Sequence, residues 1–300
     1  MSDSPRPVLV GIDGTESGLE ALALGSAFAV VTGAPLLLGA VYGFAAGHLW
    51  PPADAAEQWL QEAQERVGSG IAWRARSLQS TSPANGLVTL AQLEDAQLIV
   101  LGSNRDGPVG RVLAGSTARK VAHGAPCAVA VAPHDWRPQP PEVPLTFGVG
   151  LDDSAESRDA LALMARFAAA THAPLKVYTA VHVPPPAHPM FATTSYERWR
   201  RDALEHAEDA AHEALAALAP GVEAEVIVAE GDPVEQLAGA SRELDVLAVG
   251  SRRYGPLRSA LLGSVSSRLI ERAHSPVVIV PRGVHAESAA TEALEAGAHA

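Results

Sequence analysis

Asp13 closes the apolar run Val8-Leu-Val-Gly-Ile12, and Asp152 closes Phe147-Gly-Val-Gly-Leu151 in the same way. A carboxylate there can accept hydrogen bonds from a polar ligand or cap the turn that follows. The turn-rich stretches Asp13-Gly14-Thr15 and Asp152-Asp153-Ser154 allow both. Farther on, glycine-rich loops lead from Gly102-Ser103 to Gly115-Ser116 and from Gly250-Ser251 to Gly263-Ser264, each immediately before a helical pattern. Serine is a good helix cap, and the free amides and dipole at a helix start attract phosphate. Amides placed for phosphates suit a nucleotide. Taken singly, each Gly-Ser pair also fits ordinary loop and cap chemistry.

These residues occur twice because the chain repeats itself. Val8-Leu-Val-Gly-Ile-Asp13 returns 139 positions later, and the same offset carries Ala21-Leu22 onto Ala160-Leu161 and Ala34-Pro35-Leu36 onto Ala173-Pro174-Leu175. Leu101-Gly102-Ser103 and Gly115-Ser116 return 148 positions later. Between the copies, Pro133 to Pro144 carries five prolines, which resist helix and central strand alike and make a stiff linker. The expected division is a first domain over 1–133, a linker over 134–144, a second domain over 145–283 and a tail over 284–300.

In the first copy, strands are expected near Val8–Ile12, Leu36–Val41, Ile71–Leu78, Leu98–Leu101 and Ala128–Ala132. The second copy places them near Thr146–Leu151, Leu175–Val181, Ala224–Ala229, Val246–Val249 and Val277–Val280. Four of each five are continuous apolar runs, as parallel strands covered on both faces should be, while the alternating third suits an edge. Helical patterns lie between them. The longest runs from Tyr196 to Leu218, with Trp199, Ala203, Ala207, Ala210, Ala214 and Leu218 on one stripe. The expected fold is therefore α/β: two tandem doubly wound domains, each with helices on both faces of a five-stranded, mostly parallel sheet in the order 3-2-1-4-5. In such sheets ligands bind beyond the carboxyl ends of the strands, where the strand order reverses, which is where both aspartates and both loops fall.

The formal charge of -12 argues against a broad nucleic-acid footprint or an anionic membrane surface, so an anionic ligand must be held locally. Arginines do recur beside the loops, at Arg105, Arg111, Arg252, Arg253 and Arg258. The single cysteine, Cys127, excludes an internal disulfide and multi-cysteine metal sites, and a buried, unreactive thiol is the ordinary expectation for it. Ala21 through Trp50 carries no charged residue, but Thr32-Gly-Ala-Pro35 splits it into helix, turn and strand. A cytoplasmic chain without membrane spans is expected. No P-loop, nucleophile elbow, dinucleotide fingerprint or helical metal-binding histidine pair is present.

The strand-1 aspartates and the twin loops, Gly102 to Ser116 and Gly250 to Ser264, resemble the universal stress protein family in a tandem form covering nearly all of residues 6 to 283. The resemblance implies ATP, with or without Mg²⁺, and a stress-response role exercised through protein partners. It implies that Asp13 and Asp152 face the adenosine and that Val41 and Ala180 offer backbone groups to adenine. Phosphates would fall to Gly102, Ser103, Gly107, Gly115, Ser116 and Thr117, and to Gly250, Ser251, Gly255, Gly263, Ser264 and Val265. Similar proteins pair their last strands between domains, which implies an internal pseudo-dimer here and leaves a homodimer open. Both copies depart from the signature, which has glycine where this chain has Arg105 and Arg253. Should that position need a positive φ, a side chain costs about 1–2 kcal/mol. Arginine also suits phosphate, so Arg105 and Arg253 are themselves candidate ligands, or else point into solvent.

Three readings stay open: an ATP-binding stress regulator, an interaction module that has lost ATP through Arg105 and Arg253, and a slow adenine-nucleotide hydrolase. Beyond Asp13 and Asp152 no base or metal site can be named for hydrolysis, so turnover is expected to be slow or absent.

Overall fold

The computed structural model describes residues 5–45, 48–49, 51–104, 109–138, 145–183, 194–218, 221–251 and 263–281. The first half runs β1 (Val8–Gly11), α1 (Glu16–Thr32), β2 (Leu36–Tyr42), a two-stranded ribbon of β3 (Phe44–Ala45) and β4 (His48–Leu49), then α2 (Ala53–Gln64) and β5 (Trp73–Gln79). It continues through α3 (Pro83–Leu93), β6 (Leu98–Leu101), α4 (Ser116–Gly124) and β7 (Ala128–Val131). The second half repeats this as β8 (Phe147–Gly150), α5 (Ala155–Thr171), β9 (Leu175–Val181), α6 (Thr194–Ala216) and β10 (Ala224–Glu230). It closes with α7 (Pro233–Ala240), β11 (Val246–Gly250), α8 (Ser264–Leu269) and β12 (Val277–Val280).

The strands form one ten-stranded sheet in the order β10-β9-β8-β11-β12-β7-β6-β1-β2-β5. Each half therefore has the expected 3-2-1-4-5 order, parallel throughout. The apolar runs are its buried inner strands: every residue of β6, β7 and β12 is buried. The alternating β5 and β10 lie at the two outer edges and are largely exposed or half-buried. The final strands β7 and β12 pair with each other, antiparallel, with Val131 opposite Val277 and Val129 opposite Ile279. This removes the two edges that an unpaired Ala128-Val-Ala-Val131 and Val277-Val-Ile-Val280 would expose.

The core lies in two layers, one on each face of the sheet, and each layer draws on both halves. On one face, Phe28 of α1 meets Phe167 of α5 with ring centroids 5.3 Å apart, and Phe167 meets Phe147 at 6.3 Å. The start of the proline-rich segment is tied to the same layer. The Asp135 amide donates to Glu20 of α1 at 2.5 Å, and Trp136 packs against the core. Burial pushes the Glu20 carboxyl up, opposed by the Asp135 amide and then by the His134 and Arg137 charges.

The uncharged run resolves as α1, a turn and β2, with Gly33 in the left-handed region at φ 65 as the C-cap. No helix among the described residues is long and apolar enough to cross a membrane. Three details differ from the sequence expectation. The third strand starts at Trp73 rather than Ile71, and the ribbon of β3 and β4 had no distinct signal in the sequence. Trp199 is 48% exposed, because α6 enters the core through Ala211, Ala214 and Leu215, farther along the helix, followed by Leu218 just beyond its end. Trp199 packs on Tyr196 instead, at 6.0 Å.

At the place of Gly33, the second copy has His172, exposed, with φ 54. A side chain in that conformation costs about 1–2 kcal/mol, part of which glycine returns through its looser unfolded chain. His172→Gly is therefore expected to raise stability by about 0.5–1 kcal/mol in urea denaturation. An unchanged or lower midpoint would show that His172 makes a compensating contact.

Candidate functional site

In the first half the strand order reverses between β1 and β6. A cavity of about 470 Å³ opens there, and Asp13, Val41, Gly102, Ser103, Gly115, Ser116 and Thr117 all line it. The equivalent place between β8 and β11 is a cavity of about 270 Å³, lined by Asp152, Ala180, Gly250, Gly263, Ser264 and Val265. Ser251 is 2% exposed and does not reach it, its amide donating to Val280 O at 2.9 Å. Arg105, Gly107, Arg252, Arg253, Gly255 and Arg258 lie outside the described residues. Because β7 and β12 run antiparallel, the carboxyl ends of the two sets of strands point oppositely, so the cavities sit on opposite edges of the sheet.

Asp13 follows the last residues of β1 and is exposed at the cavity mouth. Its Oδ1 accepts from the Thr15 amide at 3.1 Å and the Thr15 hydroxyl at 2.7 Å, and Thr15 in turn caps α1. Asp152 does the same through the Ser154 amide at 2.8 Å and the Ser154 hydroxyl. Capping is thus real in both copies. It uses Oδ1 of Asp13 and leaves that side chain fixed at the cavity, with Oδ2 directed to no donor among the described residues.

Gly102 has a structural reason to be glycine that its phosphate reading did not supply. A Cβ there would lie 2.1 Å from the Ser17 carbonyl oxygen, where the first turn of α1 crosses the end of β6. Gly250 meets α5 in the same manner, 2.5 Å from the Ser157 amide. Ser103 is a strut rather than a free hydroxyl: it donates to Ala132 O at 2.6 Å and accepts from the Leu113 amide at 3.2 Å. Its own carbonyl accepts from the Ser17 hydroxyl at 2.6 Å. These bonds hold the loop that carries Gly115.

Where the sequence suggests a serine cap, the structure places Gly115 at the N-cap of α4 and Ser116 as the first helical residue. Among the described residues no side chain caps the helix, and a Cβ on Gly115 would meet nothing closer than Asn104, at 3.9 Å. The amides of that first turn are thus left unpaired by any described side chain, as an anion site requires. The loop is also braced from outside its own half. Val112 N donates to Ala273 O and Ala114 N to Ile270 O, both at 2.8 Å, while Arg119 pairs with Glu271 at 2.8 Å. Arg111 turns the same way, toward Arg272 O, rather than into the cavity.

Trp59 of α2 is a lining residue that the sequence reading missed. Gly14 takes a positive φ of 71°, and a Cβ on it would lie 2.2 Å from Trp59 Nε1, so the indole rests on the bare face of that glycine. The only local signal was an aromatic in a half-buried helix, which usually means core.

The model of the Universal stress protein family matches residues 5–133 and again 146–281. A universal stress protein of Mycobacterium tuberculosis is 28% identical over 299 residues, covering 91% of this chain and 96% of that one. Another from the same organism is 26% identical over 243 residues, 76% and 79% of the two chains. Among solved structures, a universal stress protein from Archaeoglobus fulgidus superposes with a TM-score of 0.64 at 18% identity, covering 93% of this chain and 99% of that one. A likeness at that identity speaks for the fold.

Two outcomes follow from the geometry. Gly102→Ala drives a methyl into backbone, so it should cost about 1–3 kcal/mol by denaturation, far more than the same change at Gly239, which has open space around it. Cys127 is 1% exposed, and burial pushes its thiol up to about 12, with smaller and mutually opposed effects of Arg6 and Asp95. The native protein should not react with a thiol reagent at about pH 8, whereas the unfolded chain should react at once. The folded state keeps this proton after the unfolded state has lost it, so the buried thiol lowers the free energy of unfolding progressively as pH rises from the ordinary 9.0 toward about 12.

Proposed function

The chain belongs to the universal stress protein family, and on that premise we propose that it binds ATP with Mg²⁺ between β1 and β6 and acts as a cytoplasmic stress-response regulator whose bound state is read by protein partners. The observation that carries this reading is the uncapped start of α4 facing a cavity that also holds Asp13 and the end of β2 at Val41. Three different chemistries converge within one space of ligand size. The amides of Ser116 and Thr117 would take phosphate, with the helix dipole behind them. Asp13 Oδ2 would accept from the adenosine, and the backbone at Val41 would serve the adenine edge. The second half places Asp152, Ala180, Gly263 and Ser264 around a smaller cavity between β8 and β11. Gly102 and Ser103, assigned to phosphate by resemblance, act in this reading by setting the loop's position.

No base is assigned to a hydrolytic water, so turnover should fall far below the roughly 1–100 s⁻¹ of kinases. The alternative interaction module draws on Arg105 and Arg253, which replace the signature glycines in both copies. It requires an ATP response to emerge only when both are changed to glycine.

A thermal-shift titration tests the proposal on the full chain. At a hundredfold excess over its dissociation constant, ATP with Mg²⁺ should stabilise the fold by about 2.7 kcal/mol, and Asp13→Ala should reduce the response. No response to millimolar ATP in the unmodified protein, with a response appearing in the Arg105→Gly, Arg253→Gly double variant, would establish the interaction module instead.

A further inference from the structure

The two copies share a signature but not a site. We propose that the chain holds one nucleotide rather than two, that the first half carries it with Trp59 as a wall of the site, and that the second half serves as its scaffold. This rests on the nucleotide reading above and asks which copy it applies to.

Four differences point the same way. The first is at the mouth. Gly14, bare and left-handed, seats the Trp59 indole at the cavity that Asp13 also lines, and its counterpart is Asp153, which carries a side chain where the first copy has bare backbone. The second is at the floor. Gly39 stands opposite Gly11 in the β1–β2 ladder, and Tyr178 stands opposite Gly150 in the β8–β9 ladder. Both line their cavities, so the first has bare backbone where the second has a phenol ring. Leu9, whose Cδ1 would lie 2.7 Å from a Cβ on Gly39, is replaced in the second copy by Gly148, whose bare face is covered by Leu244 instead.

The third difference is in the phosphate helix. α4 has nine residues and α8 six, and a shorter helix offers less aligned dipole behind its first amides. The fourth is size: about 470 Å³ lies within the roughly 300–1,000 Å³ of ligand sites, and about 270 Å³ falls below it. The scaffold role has its own evidence. The loop before α4 is fixed by main-chain bonds to Ala273 O and Ile270 O of the second half, so the second half holds the first half's phosphate loop in place.

Equilibrium dialysis of the full chain with ATP and Mg²⁺, followed by photo-crosslinking with 8-azido-ATP and peptide mapping, tests this. The expected result is one ATP per chain, with label confined to peptides from residues 1–133. Trp59→Ala should weaken binding about tenfold, in the range of a lost base–aromatic contact, while Trp59→Phe keeps most of the affinity. Binding should also change tryptophan fluorescence in the natural protein and not in Trp59→Phe. Two ATP per chain, or label in residues 145–283, would overturn the inference while leaving the nucleotide reading standing. No binding by the unmodified protein would overturn both. Stoichiometry and mapping use the natural chain, so poor folding of Trp59→Ala would leave the test intact.

Discussion

The antiparallel contact between β7 and β12 is the constraint on which the rest of the molecule depends. Each half alone would present a fully apolar last strand as an open sheet edge, and such edges recruit other chains. Joining them turns two five-stranded sheets into one, with both core layers built from both halves. Phe28, Phe147 and Phe167 then pack across the junction, and their burial belongs to neither half separately. The same contact fixes the direction of everything else. Strands of the two halves run oppositely, so the two cavities face away from each other across the sheet and share no lining residue.

A second consequence is that the first half's loop depends on the second half. The turn after α8 reaches across to accept from Val112 and Ala114, in the loop that leads to the open amides of α4. A loop carrying a ligand site is usually the mobile part of a fold. Here it is held at its root by Ser103, through bonds to Ala132 and Leu113, and at its far end by the other half. Preorganised amides lose less freedom when an anion binds, which favours affinity without any added contact. Gly102 contributes by what it lacks. Its missing Cβ lets α1 cross close enough for Ser17 to bond the Ser103 carbonyl, so a residue suggestive of phosphate contact also sets the helix-to-strand distance.

Much of this was legible from residues. The 139- and 148-residue offsets identify the halves, and the contrast between apolar runs such as Leu98-Ile-Val-Leu101 and the alternating Glu223-Ala-Glu-Val-Ile-Val228 identifies inner and edge strands. Those patterns are reliable because burial on two faces or one leaves a direct mark on side-chain polarity. Asp13 and the Gly115-Ser116 pair were legible because a strand end and a helix start are local events. Less legible was which residue of Gly115-Ser116 caps the helix, since a one-residue shift in a helix start leaves little trace in sequence. The exposed Trp199 and the ribbon of β3 and β4 were missed for a related reason: where an element overhangs the core, hydrophobicity alone does not say so.

By itself the amino-acid sequence determined the fold class, the duplication, which strands are inner and which lie at an edge, and the strand ends where a ligand would sit, because periodicity and repetition are properties of neighbours along the chain. Only the tertiary structure decided that Trp59 lies on Gly14, that Tyr178 fills the place of Gly39, and that Ile270 and Ala273 brace the other half's loop. Each of those pairs joins residues that are distant in sequence, and close packing across a sheet or between two halves leaves no periodic signature in either partner.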